Sequence, residues 1–232
     1  MKDILISREE EFVYLKKRFG EKGHSLKIGE TEDLKKRDKK YISDGNDAGY
    51  EDTRGGDLVD EDALRYACED YITEDRIGER RESFHDVPKV RYIFKDSYDK
   101  VYNYIITEKE YLFTREHILG HCRVKKTAML WRGIVYKFGN SLDEIIKNIS
   151  KITNPSTLLY YIKKRVVEIK TSVGENKEFE IKYFNYLTTF DINKKSSLRE
   201  EIEILKEKKK SDTYSDPKTK NGWKIIECLN NI

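Results

Sequence analysis

Two short strand-like segments on either side of a polar loop constrain the fold of this chain more than any other feature. The segment EFVYL, residues 11–15, is followed by the loop KKRFGEKGH and then by the segment SLKIG, residues 25–29. The loop contains two glycines, and a glycine-containing polar loop between two such segments predicts a β-hairpin. We therefore expect an antiparallel sheet near the start of the chain.

The segment after the hairpin carries the signals of a helix. Thr31 can cap the segment EDLKKRDKKYI, residues 32–42, in which acidic residues come first and basic residues come last. This order of charge is favourable for the helix macrodipole. We expect Leu34 and Ile42 on this helix to face the core.

The rest of the first half is predicted from composition and periodicity. Residues 43–57 form a glycine-rich acidic segment that is typical of a loop. Residues 58–72 carry apolar side chains at helical spacing, and the segment KVRYIF, residues 89–94, alternates as a strand does.

The second half is expected to form a separate module, with domains at residues 1–95 and 96–232. A strand is predicted over LWRGIVYKFG, residues 130–139, a capped amphipathic helix over residues 141–152, and a hairpin around SVGENKE, residues 172–178. The expected fold class is α/β: a small antiparallel sheet with flanking helices, followed by a C-terminal α/β module of unknown fold.

Charge and cysteine content exclude several classes of protein. The chain carries 46 Lys and Arg against 43 Asp and Glu, a net charge of +3, so it is not a uniformly basic nucleic-acid-binding protein. Its three cysteines form no CxxC motif, which argues against a disulfide framework. No apolar run approaches the roughly 20 residues that span a bilayer, and residues 1–7 lack a signal-peptide pattern. We expect no membrane contact and an intracellular, cytoplasmic location, or a nuclear one for a eukaryotic or viral source.

A hydroxyl and two cations are expected to converge on one surface beside the hairpin. Tyr14 lies on the first strand, Lys27 on the second, and Arg37 on the helix that follows the turn expected at Gly29. Neighbouring strands are about 5 Å apart. Arg can bind two phosphate oxygens, Lys supplies a compact charge, and Tyr can position or activate a water. This set of side chains suits a phosphodiester.

The segment FVY followed by KIGETEDLKKR resembles the GIY-YIG nuclease superfamily, in particular the T5orf172-like branch, in which Lys replaces the tyrosine of the second motif. The segment RESF, residues 81–84, is similar to the Glu-aromatic-Phe element that often ends this branch. The resemblance covers residues 9–95. It implies that Tyr14 and Lys27 act at the nucleophilic water and that Arg37 steadies the phosphate.

The same resemblance implies a metal-binding glutamate on a later helix. Glu61 is the first choice, because Leu64 and Tyr71 then fall where the family has its apolar contacts and its aromatic residue; Glu69 is the alternative. Asp60 stands where the family prefers an apolar residue. The implied cofactor is Mg²⁺ or Mn²⁺, bound by Glu61.

The function that the resemblance implies is a metal-dependent endonuclease that hydrolyses DNA phosphodiester bonds. The second half would then supply target binding or dimerisation, the latter as a homodimer. The alternative is a catalytically inactive nuclease-like fold that serves as a DNA-binding or protein-binding accessory factor, for example of a virus.

Three weaker patterns lie in the second half. Residues 137–147 echo the spacing of the first motif and predict a degenerate repeat of the first domain. Glu168 and Lys170 fit the ExK pattern of another nuclease class if they lie on a strand. His117 and His121, four residues apart and next to Cys122, have the spacing of zinc ligands on a helix, but no fourth ligand is recognisable.

Overall fold

The structure is a computed structural model, and it describes six stretches of the chain. These are residues 11–20, 23–45, 48–73, 83–120, 124–189 and 192–213. The chain forms two compact units, Met1–Ile105 and Ile106–Ile232. The division between them falls later in the chain than residue 95, the limit taken from the sequence.

The first unit contains a four-stranded antiparallel sheet. Its strands are β1 (Phe12–Gly20), β2 (Gly23–Thr31), β3 (Asp52–Gly55) and β4 (Ser83–His85), in the order β3-β1-β2-β4. The strands β1 and β2 form the predicted hairpin, and the register pairs Tyr14 with Gly29 and Lys16 with Lys27. The predicted α/β class, an antiparallel sheet with flanking helices, is confirmed.

The alternation of side chains along the hairpin gives the sheet one apolar and one polar face. On the apolar face, four side chains of the hairpin are completely buried and belong to the core of this unit: Val13, Leu15, Leu26 and Ile28. Tyr14, Lys16, Lys27 and Gly29 share the other face, because directly paired residues of an antiparallel sheet project to the same side.

The first helix, α1 (Leu34–Ser43), begins later than the sequence suggests. Its N-cap is Asp33, whose carboxylate accepts a hydrogen bond from the Lys36 amide at 2.9 Å, so the predicted cap at Thr31 is wrong. Tyr41 is the buried residue of this helix, whereas Ile42 is 51% exposed, contrary to the prediction. The helix is too short and too basic to bury a wide apolar stripe, and its packing depends on one aromatic ring.

Three further helices complete the first unit: α2 (Leu58–Ala67), α3 (Pro88–Lys95) and α4 (Tyr98–Glu108), the last of which spans the division. The predicted helix over residues 58–72 ends early and is followed by a 3-10 turn, Glu69–Tyr71. The strand predicted over residues 89–94 is wrong, because α3 occupies that segment.

The reason for the helix α3 lies in its spacing of apolar residues. Pro88 stands at the first helical position, where its missing amide costs nothing. Val90 and Phe94, four residues apart, are buried, whereas Tyr92 between them is exposed. A strand would have buried all three on one face.

The described residues of the second unit beyond α4 form helices joined by short connections, one of them a 3-10 turn at Glu110–Leu112, and no strand. The helices are α5 (Arg115–Leu119), α6 (Val124–Phe138), α7 (Leu142–Ile149), α8 (Thr157–Thr171), α9 (Gly174–Thr188) and α10 (Ile192–Thr213). The predicted helix over residues 141–152 is confirmed by α7, which has a full capping box at Ser141. None of the described helices has both the length and the apolar character required to cross a membrane.

Two predicted β elements of the second unit are therefore wrong. The strand over residues 130–139 is part of α6, and the hairpin around residues 172–178 is the connection between α8 and α9. The expected C-terminal α/β module is helical in the described residues. The degenerate repeat is wrong too, because a repeat of the first domain would need a hairpin before its helix.

Candidate functional site

The ring of Tyr14 lies across Gly29 on the polar face of the sheet. A Cβ atom built at Gly29 would stand closer than 3.0 Å to three atoms of the Tyr14 side chain, with Cε2 at 2.9 Å. Gly29 lies inside β2, not at a turn, since the chain leaves the sheet only after Thr31. The glycine of the KIG motif is therefore needed for the space that Tyr14 occupies, and the predicted role in a turn is wrong.

Two other side chains, those of Tyr41 and Arg37, contact the phenol oxygen of Tyr14. The Tyr14 and Tyr41 hydroxyls are 2.7 Å apart in a buried hydrogen bond, and Arg37 Nε donates to Tyr14 Oη at 3.3 Å. The Arg37 guanidinium also lies 5.5 Å from the centre of the Tyr41 ring. The structure therefore places Tyr14 and Arg37, which are 23 residues apart in sequence, in direct contact.

The environment of this cluster fixes the protonation of its members. Burial, reinforced by the hydrogen bond between the Tyr14 and Tyr41 hydroxyls, raises the pKa of Tyr14 well above its usual value. The hydrogen bond to Tyr14 raises the pKa of Arg37 further. At neutral pH Tyr14 is thus a neutral phenol that can orient a ligand through its O–H group, and Arg37 is a permanent cation.

Lys27, the third predicted residue, shares this face. Its side chain is half-buried, and its Nζ lies 5.8 Å from the centre of the Tyr41 ring. Tyr41 is thus an aromatic platform bordered by Lys27 and Arg37. The two cations flank one ring from elements that the hairpin and α1 bring together.

Lys16 belongs to the same face and was not predicted from the sequence. It is 1% exposed, and its Nζ donates to the carbonyl of Gly49 at 2.7 Å and lies 3.7 Å from Asp38 Oδ1. Its Nζ is also 4.9 Å from the centre of the Tyr41 ring. Strand alternation could have placed Lys16 beside Tyr14, but its partners come from a loop that the sequence leaves undefined.

The segment 48–51 covers this face through Tyr50. Its ring centre lies 4.9 Å from that of Tyr14, and its hydroxyl donates to the Leu34 carbonyl at 2.9 Å. The Gly49 amide donates to Asp38 Oδ1 at 2.7 Å, and burial raises the pKa of Tyr50 to about 12. The end of the acidic loop is therefore anchored to α1 and to the sheet.

Glu61, the predicted metal ligand, lies in the first turn of α2 and is buried. Its Oε1 accepts a hydrogen bond from Arg65 Nη2 at 2.7 Å, and Arg65 also lies 3.6 Å from Asp62. Tyr14 and Arg37 have no carboxylate within hydrogen-bonding or ion-pairing distance in the part of the chain that the structure describes. Glu69, the alternative, is half-buried in the 3-10 turn after α2.

Among the described residues, a magnesium site at Glu61 would have a single protein carboxylate as its ligand. They contain no cluster of three or more His, Cys, Asp or Glu side chains that could hold a metal ion. Magnesium is commonly bound by one or two carboxylates, with waters and substrate phosphates completing its shell. A single-carboxylate site at Glu61, completed by water and phosphate, is compatible with this donor set, but the ion would compete with Arg65 for the carboxylate.

The remaining sequence candidates do not form sites in the described residues. His117 is buried and its Nδ1 accepts a hydrogen bond from the Thr114 amide at 2.8 Å, so it caps α5. His121 and Cys122 lie outside the described residues. Glu168 and Lys170 lie on α8, which is a helix, so the ExK strand is wrong.

The chain matches no protein-family model, and neither a curated protein nor a solved structure is significantly similar to it. Support for a function therefore comes from the geometry of its own residues. The main features are a buried phenol, a guanidinium in contact with it, and a second cation on the same face.

Proposed function

We propose that the first unit is a metal-dependent endonuclease domain of the GIY-YIG type that hydrolyses DNA phosphodiester bonds. The observation that supports the proposal is the hydrogen bond from Arg37 to Tyr14, with the Tyr14 ring lying across Gly29. The residues of three separate sequence motifs thus depend on one another for their positions. A hairpin and helix that only stabilise a core would not need this arrangement.

Arg37 is the phosphate-binding group in this proposal. Its Nε is used by Tyr14, and it forms no ion pair with any described carboxylate, so its remaining N–H groups can bind phosphate oxygens. Lys27 adds a second positive charge on the same face. Together they offset the negative charge that the phosphodiester carries in the ground state and gains in the transition state.

Tyr14 acts in this proposal as a hydrogen-bond donor and not as a phenolate base. Its raised pKa keeps the proton on the oxygen at neutral pH. Because Arg37 donates to that oxygen, the Tyr14 proton points toward Tyr41 or toward a bound ligand. Tyr14 would then orient the attacking water or the phosphate at the site.

Glu61 would hold the metal ion, which in such sites stabilises the charge on the leaving oxygen. The chain itself contributes a buried carboxylate whose position is fixed by Arg65 on the same helix. The second unit would supply target binding or dimerisation.

Cleavage of supercoiled plasmid DNA in the presence of Mg²⁺ or Mn²⁺ tests the proposal. Arg37→Ala should lower the rate by about 100-fold or more, the usual effect of removing one group that stabilises transition-state charge. Tyr14→Phe, which keeps the ring over Gly29, should also lower the rate, whereas Lys95→Ala on α3 should not. Wild-type cleavage by Arg37→Ala would rule out this site.

A second candidate function is supported by the surroundings of Glu61. Its carboxylate is paired with Arg65, and no described carboxylate contacts Tyr14 or Arg37. The same cationic face could then bind nucleic acid without cleaving it. Duplex binding that Arg37→Ala weakens, with no cleavage under any divalent cation, would favour this binding module over the nuclease.

A further inference from the structure

We infer that the solvent-facing side of α1 is a second contact surface for the nucleic-acid backbone, continuous with the site at Arg37. This lysine face consists of Lys35, Lys36, Lys39 and Lys40. The inference rests on the proposed function, because it assigns the path of the same polyanion beyond the site. It concerns binding only and involves no chemical step.

All four residues of the lysine face are exposed, and none forms an ion pair with a described residue. Other lysines of the chain have acidic partners nearby: Lys17 lies 3.0 Å from Asp86, and Lys100 lies 3.1 Å from Asp96. In a chain with 46 basic and 43 acidic residues, four neighbouring lysines without an acidic partner are a local excess of charge. Such an excess attracts a polyanion.

The carboxylates at the N-cap and inside α1 do not neutralise this face. Asp33 caps the helix by accepting from the Lys36 amide, and Asp38 accepts from the Gly49 amide and lies beside Lys16. Both carboxylates are thus engaged with the backbone or with the sheet. The charged groups of the four lysines therefore remain exposed to solvent.

The helical repeat makes the lysine face continuous with the candidate site. Residues four apart project within about 40° of each other and are separated by about 6 Å along the axis, so Lys35 pairs with Lys39 and Lys36 with Lys40 in two rows. Lys40 projects about 60° from Arg37, which faces Tyr14. A strand bound at Arg37 can therefore continue over the row of Lys40 and Lys36, whereas Lys39 and Lys35 project about 160° from Arg37 and form the outer row of the face.

The chemistry of this face favours backbone contacts over base recognition. Lysine carries a compact charge on a flexible stem, which suits phosphate oxygens and reads little sequence. The four positions contain no aromatic side chain that could stack on a base. The expected partner is therefore duplex DNA, contacted through its phosphates independently of sequence.

The test is the salt dependence of duplex binding by the full chain. Affinity for a synthetic duplex of about 20 base pairs is measured in EDTA between about 50 and 200 mM KCl. Each lost phosphate contact makes the negative slope of log K against log salt shallower by about 0.9. The variants are Lys36→Gln/Lys40→Gln and the matched control Lys89→Gln/Lys95→Gln, which removes two exposed lysines from α3 of the same unit. We expect the slope to become shallower by about 1.8 in the first variant and to stay unchanged in the control.

The outcomes separate this inference from the proposed function. Equal slopes in wild type and Lys36→Gln/Lys40→Gln would overturn the inference, while loss of cleavage in Arg37→Ala would leave the nuclease proposal intact. A shallower slope in Lys36→Gln/Lys40→Gln, together with wild-type cleavage by Arg37→Ala, would support the inference and overturn the nuclease proposal. Absence of any duplex binding by the wild type, or binding only to phosphatidylserine vesicles, would overturn both.

Discussion

The ring of Tyr14 fills the space above Gly29 on the neighbouring strand, where any other residue would place its side chain. A Cβ atom at Gly29 would stand 2.9 Å from Tyr14 Cε2 and within 3.0 Å of two further atoms of that side chain. The two residues are directly paired in the sheet, so the ladder holds their backbones in this position. The FVY and KIG motifs, which are separate in sequence, thus pack against each other through Tyr14 and Gly29. This packing holds the Tyr14 phenol in contact with Arg37.

Replacing Gly29 by Ala should therefore displace Tyr14. Overpacking of a well-packed site typically costs about 1 to 3 kcal/mol of the free energy of unfolding. The displaced phenol would also lose its contact with Arg37, so DNA cleavage or binding should fall with stability. Urea denaturation and the plasmid assay measure the two effects.

Gly55 provides the matched control, because it also lies in a strand but has open space around its Cβ position. Gly55→Ala should change the free energy of unfolding by no more than about 0.5 kcal/mol. Combining Gly29→Ala with Tyr14→Leu should cost less than the sum of the single changes, since the clash is removed. Strict additivity of the two would refute the packing relationship.

The raised pKa of Tyr14 predicts a loss of stability in alkali. Below a pH of about 10 this tyrosine is protonated in both states, and its contribution to folding is fully present. As the pH rises further the unfolded state loses its proton first, because burial and Tyr41 raise the pKa in the folded state, so the free energy of unfolding falls. In Tyr14→Phe this fall should be shallower.

Denaturation at a series of alkaline pH values measures the effect. Tyr50, whose pKa burial raises to about 12, contributes a loss in the same direction, so part of the fall should persist in Tyr14→Phe. Tyr92→Phe, on the exposed side of α3, should follow the wild type. If Tyr14→Phe and the wild type have the same pH dependence, the phenol is not in the buried environment described.

Lys16 and Lys27 are directly paired in the sheet but should respond differently to substitution. Lys16 is buried and holds the Gly49 carbonyl, so Lys16→Met should destabilise the fold by about 1 to 3 kcal/mol through the acceptor left without a partner. Lys27 is half-buried beside Tyr41, so Lys27→Met should weaken DNA binding with little change in stability. Thermal denaturation and duplex titration of both variants distinguish the roles.

The reverse result would reassign the two lysines. If Lys27→Met unfolded the protein while Lys16→Met folded normally and lost DNA binding, Lys16 would be the phosphate-binding residue. Lys17→Met is the control for the loss of any lysine from this strand, because Lys17 pairs with the half-buried Asp86 and not with the site.

The sequence predicts the elements whose signals are local. The hairpin and α7 are found where predicted, because their turn and capping residues lie beside the segments that they define. The strand prediction over residues 130–139 fails because α6 is buried continuously over Thr127–Val135, and an apolar run without a polar side does not distinguish a strand from a buried helix.

The candidate site shows the same limit. Tyr14, Lys27 and Arg37 follow from short motifs, but Lys16 depends on Gly49 and Asp38, which reach it only through the fold of the loop after α1. The ion pair of Glu61 with Arg65 has the ordinary spacing of two residues on one helix. Sequence spacing alone does not distinguish a glutamate that binds a metal ion from one that forms an ion pair with an arginine.

The pair formed by Glu61 and Arg65 therefore gives a direct test of the metal ligand. Arg65→Gln removes the guanidinium from a buried carboxylate, which should destabilise the fold by about 3 kcal/mol. Because the carboxylate no longer shares its charge with Arg65, Mg²⁺ should raise the Tm of this variant more than that of the wild type.

Two variants control this measurement. Glu61→Gln/Arg65→Gln should show no response to Mg²⁺, since the carboxylate is absent. Lys100→Gln, which breaks the pair of the exposed Lys100 with Asp96 at the same spacing, should change neither the stability nor the response appreciably. An identical Tm shift with Mg²⁺ in all four proteins would show that Glu61 is not the ligand and would favour the non-catalytic binding module.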